Sequence, residues 1–208
     1  VEKSEYVFLA IKPQQLDEVL DEIAPAVTKD TVIVSICAGI TDDYIASKTV
    51  AGAKVVLVMP NTPLLLGEGA TALSRSDSVT DEEFELVCNI FGSCGMYAVI
   101  SKDKMKEIIA INGSSPALIY LYAQAFIEYA KSVDIDETVA RDLFAKSLIG
   151  SAKMITDSGK SLDELIEMVS SKGGTTIAGL DKLREGGLPK AVEDCCKACT
   201  KRAYELSK

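Results

Sequence analysis

The chain has 208 residues, of which 48% are hydrophobic; 22 basic against 31 acidic side chains give a net charge of −9, and there is neither histidine nor tryptophan. The apolar share is ample for a core, and the length allows one large domain or two small ones. Without histidine, Ser-His-Asp and Cys-His catalysis, a His-ligated zinc and an imidazole base are excluded. The acidic balance argues against nucleic acid as a partner, because a phosphate backbone needs a basic face.

Strand and helix signals alternate over the first hundred residues. Residues 6–11 (YVFLAI) form a short apolar run ended by Lys12-Pro13, as a buried strand meeting a helix start would be. Leu16, Val19, Leu20 and Ile23 recur at helical spacing until Pro25. A β-branched run at 31–37 (TVIVSIC) is followed by Ala38-Gly39 and a short helix opening near Thr41 or Asp42. Residues 54–59 (KVVLVM) and 69–73 read as strands. Thr80, with Glu83 at the capping-box position, opens a helix through Phe91. Residues 96–100 end the series. Apolar strands separated by helices predict an α/β fold with a mostly parallel, partial Rossmann-like sheet covered on both faces.

Beyond Lys102 the strand signal disappears. Residues 105–131 read as helical apart from the patch Gly113-Ser114-Ser115-Pro116, and further helices are expected over 136–158, 162–169, 175–185 and from Pro189 onward. The composition shift near residue 100 divides the chain into a sheet domain, 1–100, and an all-helical domain, 101–208. The helix at 117–130 is apolar almost all round, so it is either the centre of a bundle or packed against a second subunit.

No signal peptide is read at the start, and no stretch qualifies as a membrane span. Residues 108–130 come nearest but carry Asn112, Ser114, Ser115, Pro116, Gln124 and Glu128. Of six cysteines, Cys37, Cys88 and Cys94 lie singly in apolar contexts, while Cys195 and Cys199 share a helix face with Cys196 beside them. A three-thiolate site there finds no fourth ligand. All six therefore read as buried small hydrophobes, no metal is expected, and a reducing, cytoplasmic compartment follows.

The one Gly-rich dinucleotide pattern, Gly67-Glu68-Gly69-Ala70-Thr71-Ala72, precedes a strand rather than opening a helix and is rejected. Three strand ends are better candidates, since ligands of open parallel sheets bind beyond the carboxyl ends of strands. They are Ala10-Ile11-Lys12-Pro13, Ser35-Ile36-Cys37-Ala38-Gly39 and Met59-Pro60-Asn61-Thr62-Pro63. Ordinary turn chemistry accounts for any one of them alone. The sharpest local signal is Ser170-Ser171-Lys172-Gly173-Gly174-Thr175-Thr176, two glycines among hydroxyls just before a helix. A helix N-terminus of this kind suits a carboxylate, though it also suits a capped loop with no ligand. The Gly113-Ser114-Ser115-Pro116 patch is similar, and there close helix packing is the favoured reading.

Four stretches together resemble the pyrroline-5-carboxylate reductase family: VFLAIKPQ at 7–14, VMPNTP at 58–63 with GEGATAL at 67–73, NGSSPA at 112–117, and VSSKGGTTIAGLDKL at 169–183. The last looks like the family signature. The resemblance implies reduction of 1-pyrroline-5-carboxylate to L-proline, the last step of proline biosynthesis, by NADP or NAD as cofactor, with NADPH favoured. It also implies an N-terminal Rossmann-like domain and a C-terminal helical domain that interlocks two subunits in a homodimer, or in a larger ring of dimers. By position it assigns Ser171, Gly174, Thr175 and Thr176 to the substrate's carboxylate and ring nitrogen, with Thr176 as the catalytic residue. Ala10, Lys12, Pro13, Cys37, Ala38 and Asn61 fall along the cofactor groove. The family's Gly-rich phosphate loop, expected upstream of VFLAIKP, is not in the sequence, which therefore reads as most of a longer chain. Lys172 stands where the family usually has proline. A catalytically inactive oligomerisation fragment, and a related reductase of another imino or hydroxy acid, are the alternatives.

Overall fold

The three β-branched runs nearest the start become parallel strands in the computed structural model, which describes residues 1–207. They are β1 (Tyr6–Leu9), β2 (Val32–Ser35) and β3 (Lys54–Met59). Leu9 lies opposite Ser35, and Ser35 opposite Leu57, so the three carboxyl ends sit side by side. All of β2 and all of β3 except Lys54 are buried, as central strands covered on both faces must be. β4 (Gly69–Arg75) turns back antiparallel to β3, and β5 (Gly95–Val99) runs parallel to β4. The sheet order is β1-β2-β3-β4-β5, mostly parallel. Because β4 reverses direction, β4 and β5 begin at the sheet end where β1, β2 and β3 finish.

Side-chain alternation splits the strands between two cores. One face carries Leu9, Ile33, Val55, Leu57 and Met59 and is covered by α1 (Leu16–Ile23) and α2 (Asp42–Lys48). Leu16 and Leu20 of α1 are fully enclosed there. The other face carries Val32, Val34, Val56, Val58 and Leu73 against Phe84, Val87 and Phe91 of α3 (Asp81–Gly92). The capping box read at Thr80 is present: the Glu83 N–H donates to Thr80 Oγ1 at 3.2 Å, and the Thr80 N–H to Glu83 Oε2 at 2.9 Å. Glu83 Oε1 also accepts from Lys54 Nζ at 2.6 Å, which ties α3 to β3.

After β5 the chain is helical, with one departure from the continuous helix expected over 105–131. A 3-10 turn (Lys102–Lys104) and a π turn (Ile109–Gly113) precede α4 (Ser115–Ser132). Pro116 has no N–H to donate and its ring crowds the carbonyl four residues back, so the ladder widens: the Ser114 N–H reaches the Ile109 carbonyl at 2.7 Å. Then come α5 (Glu137–Asp157), α6 (Leu162–Met168), α7 (Thr175–Glu185) and α8 (Leu188–Leu206).

Contacts divide the chain into two compact units. Val1–Pro116, joined by α8 from Cys195 onward, makes the first; Ala117–Asp194 makes the second. Within the first, α8 returns to the loop after β2, where Gly39 (φ +81°) has the Ala203 carbonyl oxygen 2.9 Å from where a Cβ would stand. Within the second, α4 is exposed along most of its length, which removes the bundle-centre reading of residues 117–130. The cysteine reading needs correction. Cys37 and Cys88 are buried, but Cys94, in the connection between α3 and β5, and Cys195, Cys196 and Cys199, on α8, are only half-buried; all six are free thiols.

Candidate functional site

The carboxyl ends of β1, β2 and β3 lie at one edge of the first unit, and three chain segments leave the sheet there. After β1, Ala10 is exposed and Lys12 takes extended backbone before the 3-10 turn Pro13–Gln15, whose first position is the proline. Lys12 is exposed and makes no ion pair among the described residues. After β2, Cys37 is buried and Ala38 half-buried. The Cys37 Sγ–H lies 3.3 Å from the Ile11 carbonyl, and the Cys37 N–H donates to Ser35 Oγ at 3.3 Å. Cys37 thus fastens the end of β2 to the end of β1. Burial pushes its thiol up from the usual range, against the smaller opposing effect of its hydrogen bonds to Ser35 and Ile11. After β3, Asn61 is half-buried, and its Oδ1 accepts the Ala70 N–H at 2.9 Å.

Two cavities open beside these ends. One of about 340 Å³ is lined by Ser35, Cys37, Gly39, Asp42, Met59 and Lys102 among others. Asp42, its side chain 8% exposed, pairs with Lys102 at 3.1 Å on the rim. The other, about 350 Å³, is bounded by Ala38, Ile109, Ser114, Cys199, Arg202 and Leu206. The topology therefore gathers Ala10, Lys12, Pro13, Cys37, Ala38 and Asn61 at one sheet end. The donor set suits a flat, amide-bearing heterocycle and its sugar: small side chains at Ala10 and Ala38 leave backbone within reach, while Asn61 Nδ2 and Lys12 Nζ offer polar contacts.

In the second unit, Ser171, Gly174, Thr175 and Thr176 form a separate cluster at the start of α7. The Gly174 N–H donates to the Ser171 carbonyl at 2.9 Å, closing a turn that needs Gly173 at φ +73°. A Cβ on Gly174 would stand 2.6 Å from Ser171 Oγ and 3.0 Å from the Ser171 carbonyl oxygen, so a side chain there would have to displace the Ser171 hydroxyl and crowd the turn. Gly174 is the N-cap of α7 and supplies no side-chain cap. The first amides of an eleven-residue helix are thus left for something else to satisfy. The neighbouring Ser170 Oγ is buried without a partner. Ser171, Thr175 and Thr176 are all exposed. Exposed amides, a helix dipole and hydroxyls suit an anion the size of a carboxylate.

Sequence reasoning passed over two features. Asp42 with Lys102 joins residues 60 positions apart, which no local spacing reveals. Asn112 enters the sequence reading only as a polar residue within 108–130 and as the first residue of the NGSSPA stretch; its side chain is buried and bonded to both ends of the β3–β4 connection.

A mostly parallel sheet with small residues at its strand ends, followed by an all-helical region, is the build of the Rossmann-type oxidoreductases. Comparison with known proteins sharpens this. Residues 102–206 match the family described as pyrroline-5-carboxylate reductase dimerisation, and residues 1–67 match ketopantoate reductase PanE/ApbA. Pyrroline-5-carboxylate reductase 3 of Danio rerio is 36% identical over 203 residues, covering 98% of this chain and 70% of the relative. The pyrroline-5-carboxylate reductase of Escherichia coli is 34% identical over 205 residues, 99% of this chain and 76% of that protein. The crystal structure of the Plasmodium falciparum pyrroline carboxylate reductase with NADP bound superposes with a TM-score of 0.94 at 27% identity, over 99% of this chain and 78% of that one. The chain belongs to the pyrroline-5-carboxylate reductase family of oxidoreductases.

Proposed function

We propose that the protein reduces 1-pyrroline-5-carboxylate to L-proline, with NADPH preferred over NADH. The observation that carries the substrate assignment is the start of α7, whose uncapped amides follow a glycine-shaped turn, with the unpartnered Ser170 Oγ just before that turn. There the amides at the start of α7 bind the carboxylate, and Gly173 and Gly174 keep the turn open to it. The Thr176 hydroxyl hydrogen-bonds the ring nitrogen and holds or delivers its proton at Oγ1. In the first unit, Ala10, Lys12, Pro13, Cys37, Ala38 and Asn61 would hold the nicotinamide cofactor, which when bound supplies the hydride. Cys37 serves there by fixing the backbone, its thiol being turned to the ends of β1. The family membership and the NADP of the Plasmodium falciparum relative support the cofactor assignment. The 1–100 segment is then the cofactor domain and 101–208 the dimerisation and substrate domain, although residues 101–116 and α8 from Cys195 onward pack with the sheet and line the cavities beside it.

The expected result for Thr176→Ala in the full-length protein is a loss in kcat/KM of about 100-fold, the usual scale for removing a positioned proton donor. Thr176→Ser should stay within about threefold of the parent, since the hydroxyl remains. Steady-state rates on pyrroline-5-carboxylate check both, and a Thr176→Ala enzyme equal to the parent would end the assignment. The ratio of kcat/KM for NADPH to that for NADH decides the cofactor preference.

A second copy of the chain covers the helical region. Tyr120, Leu121 and Tyr129 on α4 and Leu143 on α5 are each more than 60% exposed, too many apolar side chains for a surface left in water. The dimerisation family matched by residues 102–206 supports this reading.

A related reductase acting on another small imino or hydroxy acid is the second reading, favoured by the match of residues 1–67 to ketopantoate reductase. Turnover of such acids faster than of pyrroline-5-carboxylate would establish it.

A further inference from the structure

Asn112 sits in the π turn with only 9% of its surface exposed. Its Nδ2 donates to the Met59 carbonyl at 2.7 Å and to the Ala70 carbonyl at 3.0 Å. These two acceptors use both amide hydrogens, so the orientation of the amide is fixed. Its Oδ1 is left buried without a partner. An apolar side chain of the same shape would avoid that desolvation cost, so the retained amide points to its two donors as the reason for its presence. Ala70 is gripped from its other side as well, its N–H donating to Asn61 Oδ1 at 2.9 Å. The last residue of β3, the second residue of β4 and the Asn61 side chain are thereby linked in one chain of hydrogen bonds: Asn112 to Met59 and Ala70, and Ala70 to Asn61.

The geometry points to Asn112 as a positioning residue of the cofactor groove. It acts through Ala70 to hold Asn61 at the carboxyl end of β3, and it touches neither cofactor nor substrate itself. The inference rests on the reading of Asn61 as a groove residue. It adds a residue from the π turn after the sheet to those that shape the groove.

The test uses Asn112→Leu, which keeps the shape and deletes the donors, in the full-length protein. Two readouts are taken: amide hydrogen exchange at Ala70 without any ligand, and NADPH affinity by fluorescence titration without substrate. Exchange at Ala70 should speed up by about tenfold or more while amides in the middle of β2 keep their parent rates. The Kd for NADPH should rise about tenfold, the scale of a small misplacement of a binding group. In an Asn61→Ala background the same replacement should change Kd by less than about twofold, because the path through Asn61 is already gone. Effects of the two substitutions that multiply, or an Ala70 amide exchanging at the parent rate, would overturn the proposal. If Asn112→Leu fails to fold, Asn112→Ser, which is smaller and keeps one donor, must show the same non-additivity or the proposal fails. A parent protein that does not bind NADPH sinks the groove reading instead, while the exchange result still decides whether Asn112 holds Ala70.

Discussion

Lys54 and Glu83 meet at 2.6 Å with side chains only 18% and 21% exposed, and Glu83 also closes the capping box with Thr80. Burial alone would raise the Glu83 carboxyl, but the hydrogen bonds from Lys54 and Thr80 outweigh it and hold the group below its ordinary value of 4.5. A carboxyl lowered by folding stabilises the native state above its unfolded value and loses that contribution as the pH falls through the folded one. Glu83→Gln keeps the capping geometry and removes the titration. Its stability curve should therefore be flatter than the parent's below about pH 4.5, as measured by urea unfolding across pH. Thr80→Ala should cost about 1 kcal/mol at neutral pH in the same assay, through the lost cap. The capping box was legible in the sequence because all its parts lie within four positions. The Asn112 clamp was not, because its partners are 53 and 42 positions away, and an asparagine beside Gly-Ser-Ser looks the same whether it packs or bonds. Cys37 lies between these cases. Its strand end was legible, but the inward turn of its thiol toward Ile11 depends on β1 lying alongside. With the thiol raised by burial, Cys37 should be alkylated by iodoacetamide at pH 8 more slowly than Cys94, as followed by peptide mass spectrometry.

At the level of elements, the apolar runs at 31–37 and 54–59 and the helical spacing of Leu16 and Leu20 were enough to place β2, β3 and α1 to within a residue or two. These are buried on both faces or along a clean stripe, so local pattern and tertiary environment agree. Leu20 is fully enclosed between α1 and the sheet, and Leu20→Ala should destabilise the first unit by about 3 kcal/mol in urea unfolding, the range for truncating an enclosed leucine. Two elements were not legible. The reversal of β4 follows from the path of the chain between Met59 and Gly69, which periodicity does not record. The π turn follows from Pro116 acting on a carbonyl in the preceding turn, where a helical pattern continues through Ile108, Ile109 and Ile111.

For the whole molecule, the change from strands to helices near residue 100 was visible in composition, since β-branched runs stop and long helical windows begin. The return of α8 to the first unit was not visible, because Gly39 and Ala203 are brought together only by the completed fold. Among the described residues no helix is long and apolar enough to cross a membrane. The exposed apolar side chains of α4 and α5 are the surface that the proposed second copy would cover. Leu143→Glu, at a position 66% exposed in the single chain, should leave the fold intact by circular dichroism and shift sedimentation toward monomer.

The strand order carries one more consequence. Each of these five strands pairs with its neighbour in sequence, so the pairings among them can form in the order in which the strands leave the ribosome. The loop at Gly39 is different: its cover, the stretch of α8 around Ala203, is synthesised more than a hundred and fifty residues later. A nascent chain therefore has its sheet before it has the wall of its second cavity, and a chain whose synthesis stops short of α8 leaves that strand end bare to chaperones and proteases.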